Sequence, residues 1–143
     1  MILLDAYCLI ALVLDEPAAA EVQEFLRSRP VAIPAANLAE TVDVLQRVWR
    51  IDSSDVRSTL WPLLAGGLEV IPTTSPIAWR GGAIRARCYE PRTREVSLAD
   101  CILLASAGDG DEVATADPAV AVSANEERVR VVALPDSRGV RPS

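Results

Sequence analysis

Apolar positions along the chain fall into two kinds of segment that alternate. Short runs at Ile2-Leu3-Leu4, Val31-Ala32-Ile33, Leu68-Glu69-Val70-Ile71, Val113-Ala114-Thr115 and Arg130 to Ala133 have the length and near-continuous apolarity of strands buried on both faces. Longer stretches with three- and four-residue spacing lie between them. Ala6 to Leu14 reads as a helix, and Glu16-Pro17 opens a second that carries Val22, Phe25 and Leu26. Pro34 to Arg50 reads as an amphipathic helix, with Leu38, Val42, Leu45 and Trp49 on one stripe and Arg47 and Arg50 near the end where the dipole favours cations.

Polar punctuation sets the remaining boundaries. Asp52-Ser53-Ser54-Asp55 offers N-caps for a helix over Val56 to Ala65, and Gly66-Gly67 ends it. Ser75-Pro76 starts a helix through Ile77, Ile84 and Ala86 towards Tyr89, which Pro91 breaks, and Ser97 to Gly108 forms the next. Strands separated by helices need crossovers, so the pattern predicts a three-layer α/β/α sandwich around a five-stranded, mostly parallel sheet. Residues 1–134 form one domain in this reading, and the Pro-, Gly-, Ser- and Arg-containing tail at 135–143 is expected to fray. There is no internal repeat and no G-x-G-x-x-G after the first strand.

Composition narrows the chemistry. The 143 residues carry 14 basic and 20 acidic side chains, a net charge of −6, so a global electrostatic footprint for nucleic acid is absent and any such contact must be local. All the basic residues are Arg, and there is no Lys and no His. That removes a P-loop, Schiff-base chemistry, Ser-His and Cys-His nucleophiles, and every imidazole metal site. Cys8, Cys88 and Cys101 form no C-x-x-C pair, and Cys8 and Cys101 sit in apolar runs as small core residues, which suits a reducing cytoplasm. The longest apolar run, Ala6 to Leu14, is too short to span a bilayer and has no basic segment before it, so neither a membrane span nor a signal peptide is expected.

Four carboxylates lie where a parallel sheet would gather them. Asp5 closes the first strand, Asp117 follows the fourth, and Glu40 and Asp100 lie in the first turns of two helices. Strand ends and helix starts share a rim, and ligands bind there near the switch in strand order. Each acid also has a structural alternative. Asp100 completes a Ser97-x-x-Asp100 capping box, Asp117-Pro118 reads as an N-cap with Pro at the first helical position, Asp5 suits a cap, and Glu40 suits a solvated helix face. Converging carboxylates would raise one another's pKa, and with no Lys available a divalent cation is the neutralising partner. All-oxygen ligands favour Mg²⁺ or Mn²⁺, whose usual work beside phosphate is phosphodiester hydrolysis.

Four blocks of sequence, Leu3-Leu4-Asp5-Ala6-Tyr7, Asn37-Leu38-Ala39-Glu40-Thr41, Ser97 to Ala107 with Asp100, and Ala114-Thr115-Ala116-Asp117, resemble those of the PIN-domain ribonucleases. Within that family they are most similar to the VapC-type toxins of bacterial toxin–antitoxin pairs. The resemblance implies endonucleolytic RNA cleavage, a Mg²⁺ or Mn²⁺ cofactor, a homodimer and a cognate antitoxin. Carried over by position, it implies Asp5, Glu40, Asp100 and Asp117 as the catalytic quartet. Asp5 and Asp100 are the leading metal ligands, Asp117 and Glu40 act directly or through water, and Thr115 orients water. Two positions depart from the family pattern: Tyr7 stands where Ser or Thr is common, and Pro118-Ala119 stands where a further acid and an aromatic are common.

A local cation cluster supplies the expected RNA contact. Between Arg80 and Arg94 lie five Arg and one acid, and Arg85, Arg87, Arg92 and Arg94 are the candidate phosphate ligands, with Tyr89 as a stacking platform. Trp49 and Trp61, with Leu45, Leu60 and Leu64, are candidate apolar surface for a dimer or an antitoxin helix, set against an ordinary core role. Two other functional readings stay open. One is a PIN-type RNA-processing nuclease without toxicity, and the other is a catalytically silent α/β module whose acids are caps.

Overall fold

The computed structural model describes residues 1–143. Its strands are β1 (Ile2–Leu4), β2 (Val31–Pro34), β3 (Glu69–Ile71), β4 (Glu112–Thr115) and β5 (Arg130–Ala133). They form one sheet in the order β3-β2-β1-β4-β5, and every neighbouring pair is parallel. Helices supply the crossovers that parallel pairing demands. These are α1 (Ala6–Leu14) and α2 (Ala19–Ser28), then α3 (Ala35–Arg47) and α4 (Ser53–Ala65), then α5 (Ser75–Cys88) and α6 (Leu98–Ser106), and last α7 (Pro118–Glu126). The order reverses between β1 and β4, so the topological switch point lies at the two strands that carry Asp5 and Thr115.

The pleat divides the strand side chains between two cores. Ile2, Leu4, Val31, Ile33 and Ala114 join Leu9, Val22, Leu45 and Leu60 on one face of the sheet. Leu3, Ala32 and Val113 join Ile84, Leu103, Leu104 and Val120 on the other. Helices α1 to α4 therefore cover one face and α5 to α7 the other, the three-layer arrangement that the fully buried β1 and β2 require, whereas the edge strands β3 and β5, which carry Glu69 and Arg130, are partly exposed and depart from the expectation of burial on both faces. α5 packs closely on α6, where a Cβ on Gly81 would come within 3.2 Å of Ile102 and 3.4 Å of the Cys101 carbonyl oxygen. All three cysteines are buried and unpaired, and no helix is long and apolar enough to cross a membrane.

Several boundaries differ from the sequence pattern. α3 stops at Arg47; Val48 and Trp49 are about half exposed and Arg50 turns into the left-handed region at φ 57°, so Trp49 does not extend the apolar stripe. α2 starts at Ala19, after a turn in which the Glu16 carbonyl accepts the Ala19 N–H. α7 is marked in the sequence by its Asp117-Pro118 cap alone, because Ala119-Val120-Ala121-Val122 is a continuous apolar run without helical spacing. It is helical because Val120, Ala121 and Ala124 find a core to enter. Beyond β5, Leu134 is buried and donates its N–H to Thr115, and Arg141 bonds the Ala133 carbonyl and Glu21.

Candidate active site

β1 ends at the centre of the sheet, and Asp5 follows as the N-terminal flank of α1 in extended conformation. Its N–H donates to the Ala114 carbonyl at 3.1 Å, which ties it to the neighbouring strand. Thr115 ends β4 beside it and donates its hydroxyl proton to Asp5 Oδ2 at 2.7 Å. The same Thr115 oxygen accepts the Asp117 N–H at 3.0 Å. One fully buried hydroxyl thus sets the positions of two acids across the switch point.

Asp100 arrives from α6, where the capping box is complete: Asp100 Oδ2 accepts the Ser97 N–H at 2.6 Å and Ser97 Oγ accepts the Asp100 N–H at 3.0 Å. Capping occupies one carboxylate oxygen, and Oδ1 takes no hydrogen bond from the protein. Glu40, half-buried on α3, takes none either. Ligand oxygens of Asp5, Glu40 and Asp100 all lie within 4.8 Å of one another. Asp117 lies at the rim, exposed, and uses Oδ1 to cap the Ala119 N–H at 2.7 Å. The structure therefore brings three of the four sequence-derived acids into one cluster and leaves Asp117 beside it, lining the same cavity.

The electrostatics follow from burial. Asp5 is 5% exposed, and desolvation, followed by the Asp100 charge, pushes its pKa up to about 7, against the Thr115 hydrogen bond that lowers it. Burial also raises Glu40, helped by Asp100, Asp43 and Asp117, and raises Asp100 despite its bonds to Ser97. The cavity of about 620 Å³ over the cluster is lined by six acids and no Arg. Such a set lacks a cation of its own, and its oxygen-only donors fit Mg²⁺ or Mn²⁺.

Two of the lining acids escaped the sequence reading. Glu95 lies two residues before the Ser97 cap, and Asp136 follows β5 much as Asp117 follows β4, so the strand-end rule applied to the fifth strand would have found it. Both Asp136 oxygens are engaged in a local turn with Arg138 and Val140.

The arginines lie outside this cavity. Arg87 pairs with Glu127 and Arg94 with Glu126, both at 2.6 Å. Arg85 donates to the Val96 carbonyl and stacks 4.5 Å over Tyr89, covering a ring face. Arg92, at φ 71° in the loop, has an exposed side chain with no ion pair. Arg94 lines a neighbouring cavity that shares Pro118 with the acidic one.

The PIN domain family model matches residues 2–129. The chain belongs to the PIN domain family. The fold is shared with solved PIN structures. FitAcB of Neisseria gonorrhoeae is 26% identical over 92% of this chain and 96% of its own, with a TM-score of 0.60. VapC20 of Mycobacterium tuberculosis, a sarcin–ricin loop cleaving toxin, is 19% identical over 73% of this chain and 79% of its own, with a TM-score of 0.57. A toxin–antitoxin complex from Klebsiella pneumoniae is 22% identical over 82% and 87%, with a TM-score of 0.56. No curated protein matches the sequence. PIN domains are nucleases, and the clustered acids of this one lie at its switch point.

Proposed function

We propose that this PIN domain is a Mg²⁺- or Mn²⁺-dependent endoribonuclease and the toxin of a toxin–antitoxin pair. The observation that carries the reading is the meeting of Asp5, Glu40 and Asp100 within 4.8 Å in a cavity without a cationic side chain. Asp5 and Asp100 would hold the ion, with Asp117 reaching it directly or through water. A bound dication supplies positive charge at the scissile phosphate and lowers the pKa of water. Thr115 holds Asp5 by one oxygen and Ser97 holds Asp100 by one, which orients both carboxylates. Glu40 accepts no hydrogen bond from the protein and is the group free to take the proton of the attacking water. Arg92 and, after exchange of their ion pairs, Arg87 and Arg94 would contact phosphates flanking the site, with Arg85.

The likeness to an RNA-cleaving toxin and to a toxin–antitoxin complex supports RNA as substrate and an antitoxin as partner. A groove of about 260 Å³ between α3 and α4, lined by Leu38, Val42, Leu60, Trp61 and Leu64, offers that partner apolar surface. Leu45 belongs to the core, while Trp49 and Trp61 are more than half exposed. A homodimer and a cytoplasmic setting complete the proposal, the latter in keeping with three buried free thiols.

The test is cleavage of labelled mixed RNA with Mg²⁺ or Mn²⁺, beside Asp5→Asn and Asp100→Asn. Metal-dependent cutting lost in both variants is the expected result. A folded wild-type chain that cuts no RNA and gains no thermal stability from either ion would overturn it, and would favour a binding module whose Asp100 and Asp117 serve as caps.

A further inference from the structure

At the amino ends of β4 and β5, the edge of the sheet opposite the carboxylates, another polar cavity of about 360 Å³ lies between the loop 108–111 and the turn that follows α7. Three arginines line it: Arg80 from α5, Arg128 from that turn and Arg130 at the start of β5. None of the three forms an ion pair. Two of the three acids in the lining are already engaged. Asp111 accepts from the Met1 ammonium at 2.7 Å and from the Gly108 N–H at 2.9 Å, and Glu127 pairs with Arg87 at 2.6 Å. Asp109 is the acid that remains, so in a chain of net charge −6 this cavity holds an excess of unpaired positive charge.

Neighbouring carbonyl groups account for two of the arginines in part. Arg80 donates through one guanidinium nitrogen to the carbonyls of Ala105 and Ala107, at 3.5 and 3.3 Å, where α6 ends. Arg130 donates through one nitrogen to the Gly110 carbonyl at 2.7 Å. These bonds hold each guanidinium in place and leave its other N–H groups without an acceptor in the chain. Arg128 makes no side-chain hydrogen bond at all. It stands at φ 58° just past α7, where the Val129 N–H returns to the Ala124 carbonyl at 2.8 Å. Glycine usually fills that helix-ending position, because a Cβ is strained there. An arginine occupies it instead, and nothing inside the chain uses its side chain. The backbone N–H groups of Asp109 and Gly110 also have no acceptor in the chain.

We propose that Arg80, Arg128 and Arg130 form a binding site for a phosphate group, taken as inorganic phosphate or as the phosphomonoester of a nucleotide. A tetrahedral dianion can accept from several guanidinium forks at once and from the free loop N–H groups besides, whereas a carboxylate has only two oxygens to share among three arginines. Ala107 and Val129 are the apolar part of the lining, too little to cover a lipid chain or a stacked base, so the charge and shape of the phosphate carry the recognition. The site lies apart from the acid cluster and does not depend on the nuclease reading.

The experiment is titration of the metal-free protein with inorganic phosphate and with adenosine monophosphate, followed in ¹⁵N–¹H spectra of the backbone amides and arginine Nε groups, against sodium chloride at matched ionic strength. Saturable shifts at Asp109, Gly110 and the three arginines are expected. Tighter binding of the monophosphate identifies a nucleotide as the ligand, and equal affinity identifies the free ion. Arg128→Gly suits the left-handed backbone and should melt no lower than wild type, yet weaken phosphate binding about tenfold. Arg130→Gln weakens binding in the same direction. Arg50→Ala removes the same charge from another left-handed position, outside this cavity, and leaves binding unchanged. Shifts that chloride reproduces, or phosphate affinity in a folded Arg128→Gly equal to that of wild type, would overturn the site.

Discussion

Thr115 joins two acids through one oxygen, donating to Asp5 and accepting from the Asp117 backbone. Replacing it with Val keeps the shape and strand preference but leaves a buried carboxylate oxygen without its donor. Thr115→Val is expected to cost about 1–3 kcal/mol in urea unfolding of the metal-free chain. Because an outer hydrogen bond orients a ligand, it should also weaken Mg²⁺ binding by about 10–100-fold in calorimetry. Asp5 itself makes the opposite prediction for stability. Its pKa near 7 means that folding at pH 8 forces a charge into a buried place, so Asp5→Asn should raise the melting temperature of the metal-free protein at pH 8 while abolishing the stabilisation by Mg²⁺. A fall in that melting temperature would show that Asp5 is charged and well compensated without metal.

α6 owes its start to a capping box, and its third residue is a site acid. Ser97→Ala removes the acceptor for the Asp100 N–H and should cost about 0.5–2 kcal/mol in chemical denaturation. Gly81 in α5 is constrained by packing instead: a side chain there meets Ile102 and the Cys101 carbonyl, so Gly81→Leu should destabilise by about 1–3 kcal/mol through overpacking. An unchanged urea midpoint would show that the helices separate without cost. These two cases also mark what could be read at this scale. Ser97-x-x-Asp100, Asp52 and Asp117-Pro118 announce helix starts because capping is local chemistry, and Asp52 and Asp117 indeed accept N–H groups two residues on. The end of α3 and the length of α7 were not legible, because Trp49 has helical spacing without a core to enter and Val120 sits in a short continuous apolar run whose length alone does not tell helix from strand.

For the whole molecule, the clustered acids make stability depend on pH. Asp5, Glu40 and Asp100 all have raised pKa values when folded, so between about pH 4 and 7 the unfolded chain releases protons that the folded chain keeps. The cluster's own contribution to stability therefore falls as pH rises and levels off above about 7, where Asp5 has titrated, whereas Asp43, Asp52, Asp111, Glu112, Glu126 and Asp136, held low by their partners, act in the opposite sense at the acid end, below about pH 5. Melting of the metal-free protein at pH 5 and pH 8 should show this drop, and saturating Mg²⁺ should remove most of it by favouring the ionised cluster. A profile that rises between about pH 6 and 8, where Asp5 titrates and the other carboxylates are already ionised in the unfolded chain, would contradict a cation-free cluster. The positive surface predicts a salt dependence at the same scale. Arg92 is the member of its group whose side chain makes neither an ion pair nor a hydrogen bond, so Arg92→Ala should lower the salt slope of RNA binding by about one, and the fourfold Ala variant at Arg85, Arg87, Arg92 and Arg94 by more. An unchanged slope in the fourfold variant would remove these residues from RNA contact.

The sequence by itself determined the layer architecture, because three- and four-residue apolar runs can be buried on both faces only inside a parallel sheet with helices on either side. It also determined the kind of chemistry, since a chain without Lys or His is left with carboxylates and the ions they attract. Tertiary structure decided which acids meet. Asp5, Glu40 and Asp100 are separated by long stretches of chain, and their distances depend on where the strand order reverses and how deeply each helix sits, neither of which a local pattern encodes. It also decided the state of the arginines, because Glu126 and Glu127 come from α7 and its end, remote in sequence from Arg94 in the loop and Arg87 in the last turn of α5, which they neutralise. Local rules fix caps, faces and charges, whereas the partners of a long side chain are chosen by packing between segments that meet only after the sheet has closed.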